Sequence, residues 1–268
     1  MHHYPRKRFG QHFLHDQQVI TRLVAAISPT ADELVVEIGP GLGALTKVLL
    51  PLTSKLHAIE LDRDIIPKLE AACQPLGTLL IHQADALRFD FTSLVTSDKK
   101  LRVVGNLPYN ISTPLLFHLL DQIDLVQDMH FMLQREVVER LAAKVATKAY
   151  GRLSVMVQYF CQVELLFLVP AEAFTPPPAV ESAIIRLVPY EQSPFPATNI
   201  NNLRRIVTLA FSQRRKTLRN SLKEMFEATE LQALGIDPGM RAEELTVAEF
   251  VKLSNSKDIT SANFCIKM

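Results

Sequence analysis

The residues best suited to chemistry are Asn106, Leu107, Pro108 and Tyr109, which directly follow a β-type run at Leu101–Gly105. The amide oxygen of Asn106 and a backbone carbonyl next to Pro108 can each accept one hydrogen of a bound amine. Pro108 stiffens the backbone here, and the ring of Tyr109 offers a flat surface on which a nucleic-acid base can stack. The motif predicts a site that holds an amine on a flat base, such as adenine, and directs its lone pair at an electrophile.

A glycine-rich loop lies closer to the N-terminus, where Gly39, Gly41 and Gly43 follow the apolar run Leu34–Ile38. Glycine lets the backbone approach a ligand closely, and such a loop between a strand and a helix is typical of nucleotide-binding proteins. Ala44 stands where the last residue of a dinucleotide fingerprint would fall, so a nicotinamide-dependent dehydrogenase remains an alternative for the loop alone. A tight turn that serves only helix packing is the other alternative.

Two carboxylates follow the next two predicted strands. Glu60 ends the second strand, where it can accept both hydroxyls of a ribose. Asp85 follows the third strand, where it can take the amine of a cofactor's adenine or cap a helix. Glu60 suits nicotinamide and S-adenosylmethionine enzymes equally, but nothing beside Asn106 supplies a pair of residues for hydride chemistry. Methyl transfer is therefore favoured over a dehydrogenase.

A second candidate region is defined by its charge. The formal net charge of the chain is only +1, so a uniform basic field cannot explain binding of nucleic acid. The segment 201–223 contains no acidic residue, and its basic residues are Arg204, Arg205, Arg214, Arg215, Lys216, Arg219 and Lys223. Helical spacing would place Arg215, Arg219 and Lys223 on one face. This patch predicts contact with RNA phosphates, and a solvated helix face is the alternative.

These motifs and their neighbours together resemble one known family. The segments that carry the resemblance are Arg8–Leu14, Glu37–Gly41, Glu60–Asp62, Asn106–Tyr109 and Phe174–Pro178. The combination resembles the ribosomal RNA adenine dimethyltransferases over nearly the whole chain. Within that family, Asn110–Pro114 and Ala149–Ser154 are most similar to the bacterial small-subunit enzymes associated with kasugamycin sensitivity.

The resemblance implies how S-adenosylmethionine would be held. The segment from His12 to Leu14 is expected to fold over the methionine end of the cofactor, with the loop containing Gly39 and Gly41 beneath it. Glu60 is expected to hold the ribose, and Asp85 the adenine.

The resemblance also implies how the target base would be held. Asn106 is expected to contact both cofactor and base, with Pro108 fixing its geometry. Tyr109 and Phe174 are expected to sandwich the flipped adenine, and the prolines behind Phe174 to fix that loop. The family usually has Asn where this chain has His12, so the contact at that position is open.

The implied reaction transfers methyl groups to N6 of two adjacent adenines in the 3′-terminal stem-loop of small-subunit ribosomal RNA, two methyl groups to each amine. The implied partner is the assembling small subunit, which gives the chain a role in ribosome biogenesis. Two alternatives remain: a large-subunit adenine methyltransferase that confers antibiotic resistance, and an RNA-binding protein that checks assembly. A monomer without metal is expected.

Positioning these residues requires an α/β fold. Between about Leu34 and Val188, β-type runs alternate with helical patterns, which predicts a Rossmann-like, mostly parallel sheet of seven strands, as in class I methyltransferases. The predicted strands are Leu34–Ile38, Leu56–Leu61, Leu79–His82, Leu101–Gly105, Met129–Leu133, Glu164–Val169 and Ala183–Val188. The last two should form an antiparallel edge pair, because no crossover helix fits between them. Since ligands bind at the carboxyl ends of parallel strands, the candidate residues should meet at one edge.

The proline-rich break at Pro189–Asn199 predicts a domain boundary. Residues 1–190 are expected to form the catalytic domain with an N-terminal arm. Residues 191–268, whose apolar positions recur every three or four residues, are expected to form a small helical RNA-binding domain.

The composition narrows the class of protein. The chain has 268 residues and is 48% hydrophobic, which suits a large core and a second small one. Its apolar runs are shorter than the roughly 20 residues of a membrane span, and no signal-type segment is seen at its start, so a cytoplasmic location is expected. The three cysteines, Cys73, Cys161 and Cys265, form no Cys-x-x-Cys pair, and no metal-type cluster is predicted.

Overall fold

The computed structural model describes residues 12–95, 99–213 and 215–257. Arg214 and the basic residues that precede His12 in the N-terminal arm lie outside the described residues. The contacts divide the chain into two units. One contains the chain up to Glu139 together with Cys161–Pro189, and the other contains Arg140–Phe160 together with the chain from Tyr190.

The first unit is built around one large sheet. The strands are β1 (Phe13–Leu14), β2 (Leu34–Ile38), β3 (Lys55–Glu60), β4 (Thr78–Gln83), β5 (Leu101–Asn106), β6 (Val126–Gln134), β7 (Cys161–Val169), β8 (Phe174–Thr175) and β9 (Ser182–Pro189). Seven of them form a sheet in the order β4-β3-β2-β5-β6-β9-β7, while β1 and β8 pair separately. The five neighbouring strands β4, β3, β2, β5 and β6 run parallel, and β9 is antiparallel to both β6 and β7. The predicted mixed sheet with its antiparallel pair is confirmed.

The helices are α1 (Gln17–Ile27), α2 (Thr46–Leu49), α3 (Ile66–Cys73), α4 (Ser112–Leu120), α5 (Arg135–Leu141), α6 (Arg152–Phe160), α7 (Ile200–Ser212), α8 (Leu218–Ser221), α9 (Ala228–Ala233) and α10 (Val247–Ser256). Local signals explain where α1 begins and ends. The Asp16 side chain accepts from the amides of Gln18 and Val19 in the first turn, and Ser28 takes a left-handed conformation at φ +46°. The buried face of α1, with Ile20, Leu23 and Ile27, joins the main core.

Strand β2 shows why the sheet lies at the centre of its unit. All of its residues, Leu34–Ile38, are buried, as expected of a parallel strand covered on both faces. Within the described parts of the chain, no helix has the length and apolar character needed to cross a membrane.

The second unit is helical. Its α6, α7 and α10 contact one another, and the Phe211 ring lies between those of Tyr150 and Phe250. The sequence predicts that 1–190 forms one domain, whereas Arg140–Phe160 groups with the second unit. The reason is the buried apolar face of α6, which packs against α7 and α10.

Candidate active site

A cavity of about 740 Å³ opens at the carboxyl ends of β2 to β5. The predicted site residues that line it are His12, Leu14, Gly39, Gly41, Glu60, Asp85, Asn106, Pro108 and Tyr109. The strand order explains why they converge, because the chain reverses its direction of winding between β2 and β5 and leaves a crevice there. All of these residues belong to the first unit.

The glycine loop takes the left-handed backbone that its sequence allows. Gly39 has φ +66° and Gly41 has φ +56°, a region that residues with a Cβ rarely adopt. The Gly39 amide donates to the Ile59 carbonyl at 2.9 Å, which fixes the loop against β3. A Cβ added to Gly41 would lie 3.2 Å from the Phe13 ring, so the loop passes close beneath the segment that includes β1.

The two predicted carboxylates lie on neighbouring strand ends. Glu60 is buried and accepts from the amides of Asp62 at 2.8 Å and Gly41 at 3.2 Å. Burial raises the pKa of Glu60, and these hydrogen bonds oppose the rise. Asp85 accepts from the Leu87 amide at 3.0 Å, so it caps its own turn while also lining the cavity. The capping role and the ligand role considered for Asp85 are thus compatible.

A third carboxylate, Glu37, was not singled out by sequence reasoning. It is 2% exposed, lines the cavity and accepts from the Thr46 hydroxyl at 2.7 Å. Burial raises the pKa of Glu37 to about 7, the Thr46 hydrogen bond opposes the rise, and the charge of Glu60 adds to it. The signal in the sequence was an acid inside the otherwise apolar run Leu34–Ile38.

Asn106 ends β5, and its orientation is determined by chemistry. Its side-chain amide nitrogen donates to the His12 carbonyl at 3.0 Å. A carbonyl can only accept, so the amino group of the side chain must face His12. The Asn106 oxygen is thereby left as the acceptor for a ligand, as the predicted contact with an amine requires.

Tyr109 is anchored by a residue that sequence reasoning missed. Its hydroxyl lies 2.9 Å from the hydroxyl of Ser182, the first residue of β9, which is fully buried. Burial raises the pKa of Tyr109, and the hydrogen bond to Ser182 opposes the rise. The contact joins residues 73 positions apart. No local pattern in the sequence could have indicated it.

The expected sandwich of Tyr109 and Phe174 differs from the observed arrangement. Phe174 is buried in the main core, where β8 pairs with β1, and it is Thr175 that lines the cavity. Alternation along a strand explains this, because neighbouring side chains point to opposite faces. The ring that stacks on Tyr109 is that of His12, at 5.7 Å between centroids and 26° between planes.

The basic patch is exposed but is not one helical face. Arg215, Lys216, Arg219 and Lys223 are all exposed. The prediction that Arg215, Arg219 and Lys223 share a helix is wrong, because α7 ends at Ser212 and α8 spans only Leu218–Ser221. The amides of Leu218 and Arg219 donate to the carbonyls of Met240 and Pro238 instead of continuing a long helix.

Two of the three cysteines lie in the described parts of the chain. Cys73 and Cys161 are buried free thiols, and Cys265 lies outside the described residues. In the described ranges, no group of three or more His, Cys, Asp or Glu side chains is arranged to hold a metal ion.

Solved structures share this fold over most of the chain. A dimethyladenosine transferase from Plasmodium falciparum aligns with a TM-score of 0.78 and 28% identity, covering 90% of this chain and 96% of that one. The 23S rRNA methyltransferase ErmE aligns with a TM-score of 0.71 and 22% identity, covering 90% and 97%. With this sheet order and the glycine loop at the cavity, the chain has the class I methyltransferase fold.

Sequence comparison gives the family. The family model for ribosomal RNA adenine dimethylase matches residues 2–258. The ribosomal RNA small subunit methyltransferase A of Nitrosococcus oceani is 57% identical over 252 residues, covering 94% of this chain and 96% of that protein. The protein of the same name from Vibrio cholerae is 55% identical over 258 residues, covering 96% and 95%. The chain therefore belongs to the ribosomal RNA adenine dimethylase family and is an enzyme.

Proposed function

We propose that the chain transfers methyl groups from S-adenosylmethionine to N6 of two adjacent adenines in the 3′-terminal stem-loop of small-subunit ribosomal RNA. The observation that carries the proposal is that Asn106 and Tyr109 line the same cavity as the buried acids Glu37 and Glu60. The names of the related proteins support the small-subunit target over a large-subunit one.

The residues at the strand ends fit a cationic nucleoside cofactor. S-adenosylmethionine supplies a sulfonium-activated methyl group, and its charge complements Glu37 and Glu60. Glu60, already held by two backbone amides, would accept the ribose hydroxyls, and Asp85 would take the adenine amine. The left-handed backbone at Gly39 and Gly41 permits close approach beneath the ligand.

The chain's own contribution to the chemistry is orientation. The Asn106 oxygen and the backbone carbonyl that precedes Pro108 each accept one hydrogen of the adenine amine, so the lone pair is directed at the methyl group. Tyr109 would stack on the base. Phe174 would hold β8 in place through its ring, which packs in the core behind the cavity wall. The proton is lost after transfer, so no general base is needed for the displacement.

The second unit would bind the RNA backbone. Arg215, Lys216, Arg219 and Lys223 are exposed, as phosphate contacts require, and Arg214 adjoins them in the sequence. The partner is then the assembling small subunit, and the protein acts in the cytoplasm as a monomer in ribosome biogenesis.

The test is to incubate the protein with labelled S-adenosylmethionine and undermethylated small subunits, and to map the label. Label on N6 of two adjacent adenines of the terminal stem-loop is expected. Unmodified large subunits serve as the matched substrate, and preferential labelling of these would refute the proposed target. An inactive Asn106→Ala variant that still rescues subunit assembly would favour the assembly-checking alternative.

A further inference from the structure

The imidazole of His12 contacts two walls of the cavity, the ring of Tyr109 and the loop that carries Phe174, whose own ring lies in the core. One wall is Tyr109, whose ring lies 5.7 Å from that of His12. The other is the loop 174–178, whose Pro176 carbonyl lies 2.7 Å from Nδ1 of His12. The imidazole therefore fills the space between these two walls, here called the base slot.

The space beside Tyr109 is too narrow for a base in this arrangement. A base inserted between two stacked rings needs roughly 7 Å between them, twice the contact distance of carbon atoms. The observed separation of 5.7 Å is the distance of two rings already in contact. A target adenine and the His12 imidazole cannot both lie against this face of Tyr109 as the structure stands.

The contacts indicate which of the two rings moves. Tyr109 is half-buried and is anchored by the buried hydroxyl of Ser182. The His12 backbone is also fixed, because its carbonyl accepts from Asn106 and the next residue begins β1. Among contacts with the described residues, the His12 side chain would lose the stack on Tyr109 and the contact with the Pro176 carbonyl. It can therefore turn aside by rotation about its own side-chain bonds.

We propose that His12 occupies the base slot of the free enzyme as a resident stacking partner of Tyr109, and that the target adenine binds by displacing the imidazole. This inference rests on the proposed function, because it takes Tyr109 to be the platform for the base. Displacement lowers the apparent affinity for any base by the fraction of molecules with an open slot. A base presented by docked RNA can meet that requirement through its other contacts, whereas a free nucleoside has none.

Binding of free adenosine, followed by NMR saturation transfer with the cofactor pocket saturated by S-adenosylhomocysteine, tests the proposal directly. His12→Asn installs a side chain too short to cover Tyr109, and it should bind adenosine about tenfold more tightly than the wild type, since one stack and one hydrogen bond no longer compete. His12→Phe is the matched control. It keeps a ring over Tyr109 and should stay within about threefold of the wild type.

Each outcome decides the proposal. Unchanged or weaker adenosine binding by His12→Asn, with S-adenosylhomocysteine affinity intact, would show that His12 is a wall of the slot and would overturn it. Altered S-adenosylhomocysteine affinity in His12→Asn without tighter adenosine binding would show that His12 acts at the cofactor, as the family resemblance implies, and would also overturn it. Methyl transfer to small subunits by the wild type, measured separately, tests the proposed function. The two can therefore fail independently.

Discussion

Buried charged side chains form ion pairs at one end of the parallel strands, whereas two acids of the same sign lie at the other end. Near the start of β5, the Arg102 guanidinium contacts the carboxylates of Asp128 and Glu33, each at 2.7 Å. At the carboxyl ends of β2 and β3, Glu37 and Glu60 have the same sign, and the charge of Glu60 adds to the rise in the pKa of Glu37. The acids at the paired end contact a cation of the protein itself, whereas Glu37 and Glu60 accept from neutral groups, the Thr46 hydroxyl and backbone amides, and would be complemented in charge by a cationic ligand. Stability and function are thus separated along the sheet.

The paired end also fixes a helix. Arg102 donates to the carbonyls of Ile27 at 2.6 Å and Ser28 at 3.3 Å, at the C-terminus of α1. These are carbonyls that a helix end leaves without partners inside the helix. One buried guanidinium therefore pairs with two carboxylates and also satisfies carbonyls at the C-terminal end of α1.

The largest expected effect is on stability, at the paired end. Arg102→Leu leaves Asp128 buried without its cation and should lower the free energy of unfolding by about 3–5 kcal/mol. Arg135→Leu is the control, because Arg135 is 47% exposed and pairs with Glu139 and Glu181 at the surface, where solvent screens ion pairs and they contribute little to stability. Urea unfolding measures both. Equal losses in the two variants would refute the distinction between the ends.

The next effect is on activity, at the other end of the same strand. Asn106→Ala should lower kcat by about 10²–10³-fold, because the amine loses an orienting acceptor. RNA affinity should stay within about twofold, since phosphate contacts dominate it. Single-turnover methyl transfer and filter binding give the two quantities. Near-normal turnover would remove Asn106 from its assigned role.

The hydrogen bond between Tyr109 and Ser182 should make the effects of substituting these two residues on kcat/KM non-additive. Tyr109→Phe and Ser182→Ala each remove one side of the hydroxyl contact and should lower kcat/KM by about three- to tenfold. The double variant should lose little more than the worse single variant, because the interaction is already gone. Kinetics of all four proteins complete the cycle. Multiplicative losses would mean that Ser182 does not act through Tyr109.

The smallest effect belongs to the basic patch. Replacing Arg215, Arg219 and Lys223 by Ala should reduce the salt dependence of RNA binding by up to about three phosphate contacts. Cofactor affinity is the internal control and should not change. A salt dependence equal to that of the wild type would show that the patch is a solvated surface that does not contact RNA.

The fold could be predicted because its signals are local. The run Leu34–Ile38 is apolar at every position but Glu37 and is followed by glycines, a pattern typical of a covered parallel strand and its loop. The convergence of Glu60, Asp85 and Asn106 then followed from the rule that parallel strands share a carboxyl edge.

What escaped prediction depends on contacts between distant segments. Ser182 meets Tyr109, and His12 meets Pro176, only after the sheet is assembled. The long helix expected through Arg219 is absent from the described residues for the same reason. The Arg219 amide donates to the carbonyl of Pro238 in another loop. Helical spacing alone could not reveal that competing partner.

The acidic end should make the stability and the cofactor affinity of the protein dependent on pH. Because burial raises the pKa of Glu37 to about 7 from 4.5, the folded protein holds a proton there that the unfolded chain has lost. The contribution of Glu37 to stability is therefore present below about pH 4.5 and is lost as the pH rises through about 7. Cofactor affinity should change in the opposite sense, because only the ionised carboxylate attracts a cation.

The most direct test is to count the protons released when S-adenosylmethionine binds at pH 7, by calorimetry in buffers of different ionisation enthalpy. The wild type should release about half a proton, and Glu37→Gln close to none, because the bound cation favours the ionised carboxylate. S-adenosylhomocysteine, which lacks the sulfonium charge, should release fewer protons from the wild type. Equal release by wild type and Glu37→Gln would contradict the claim that the acidic end is kept for a cationic methyl donor.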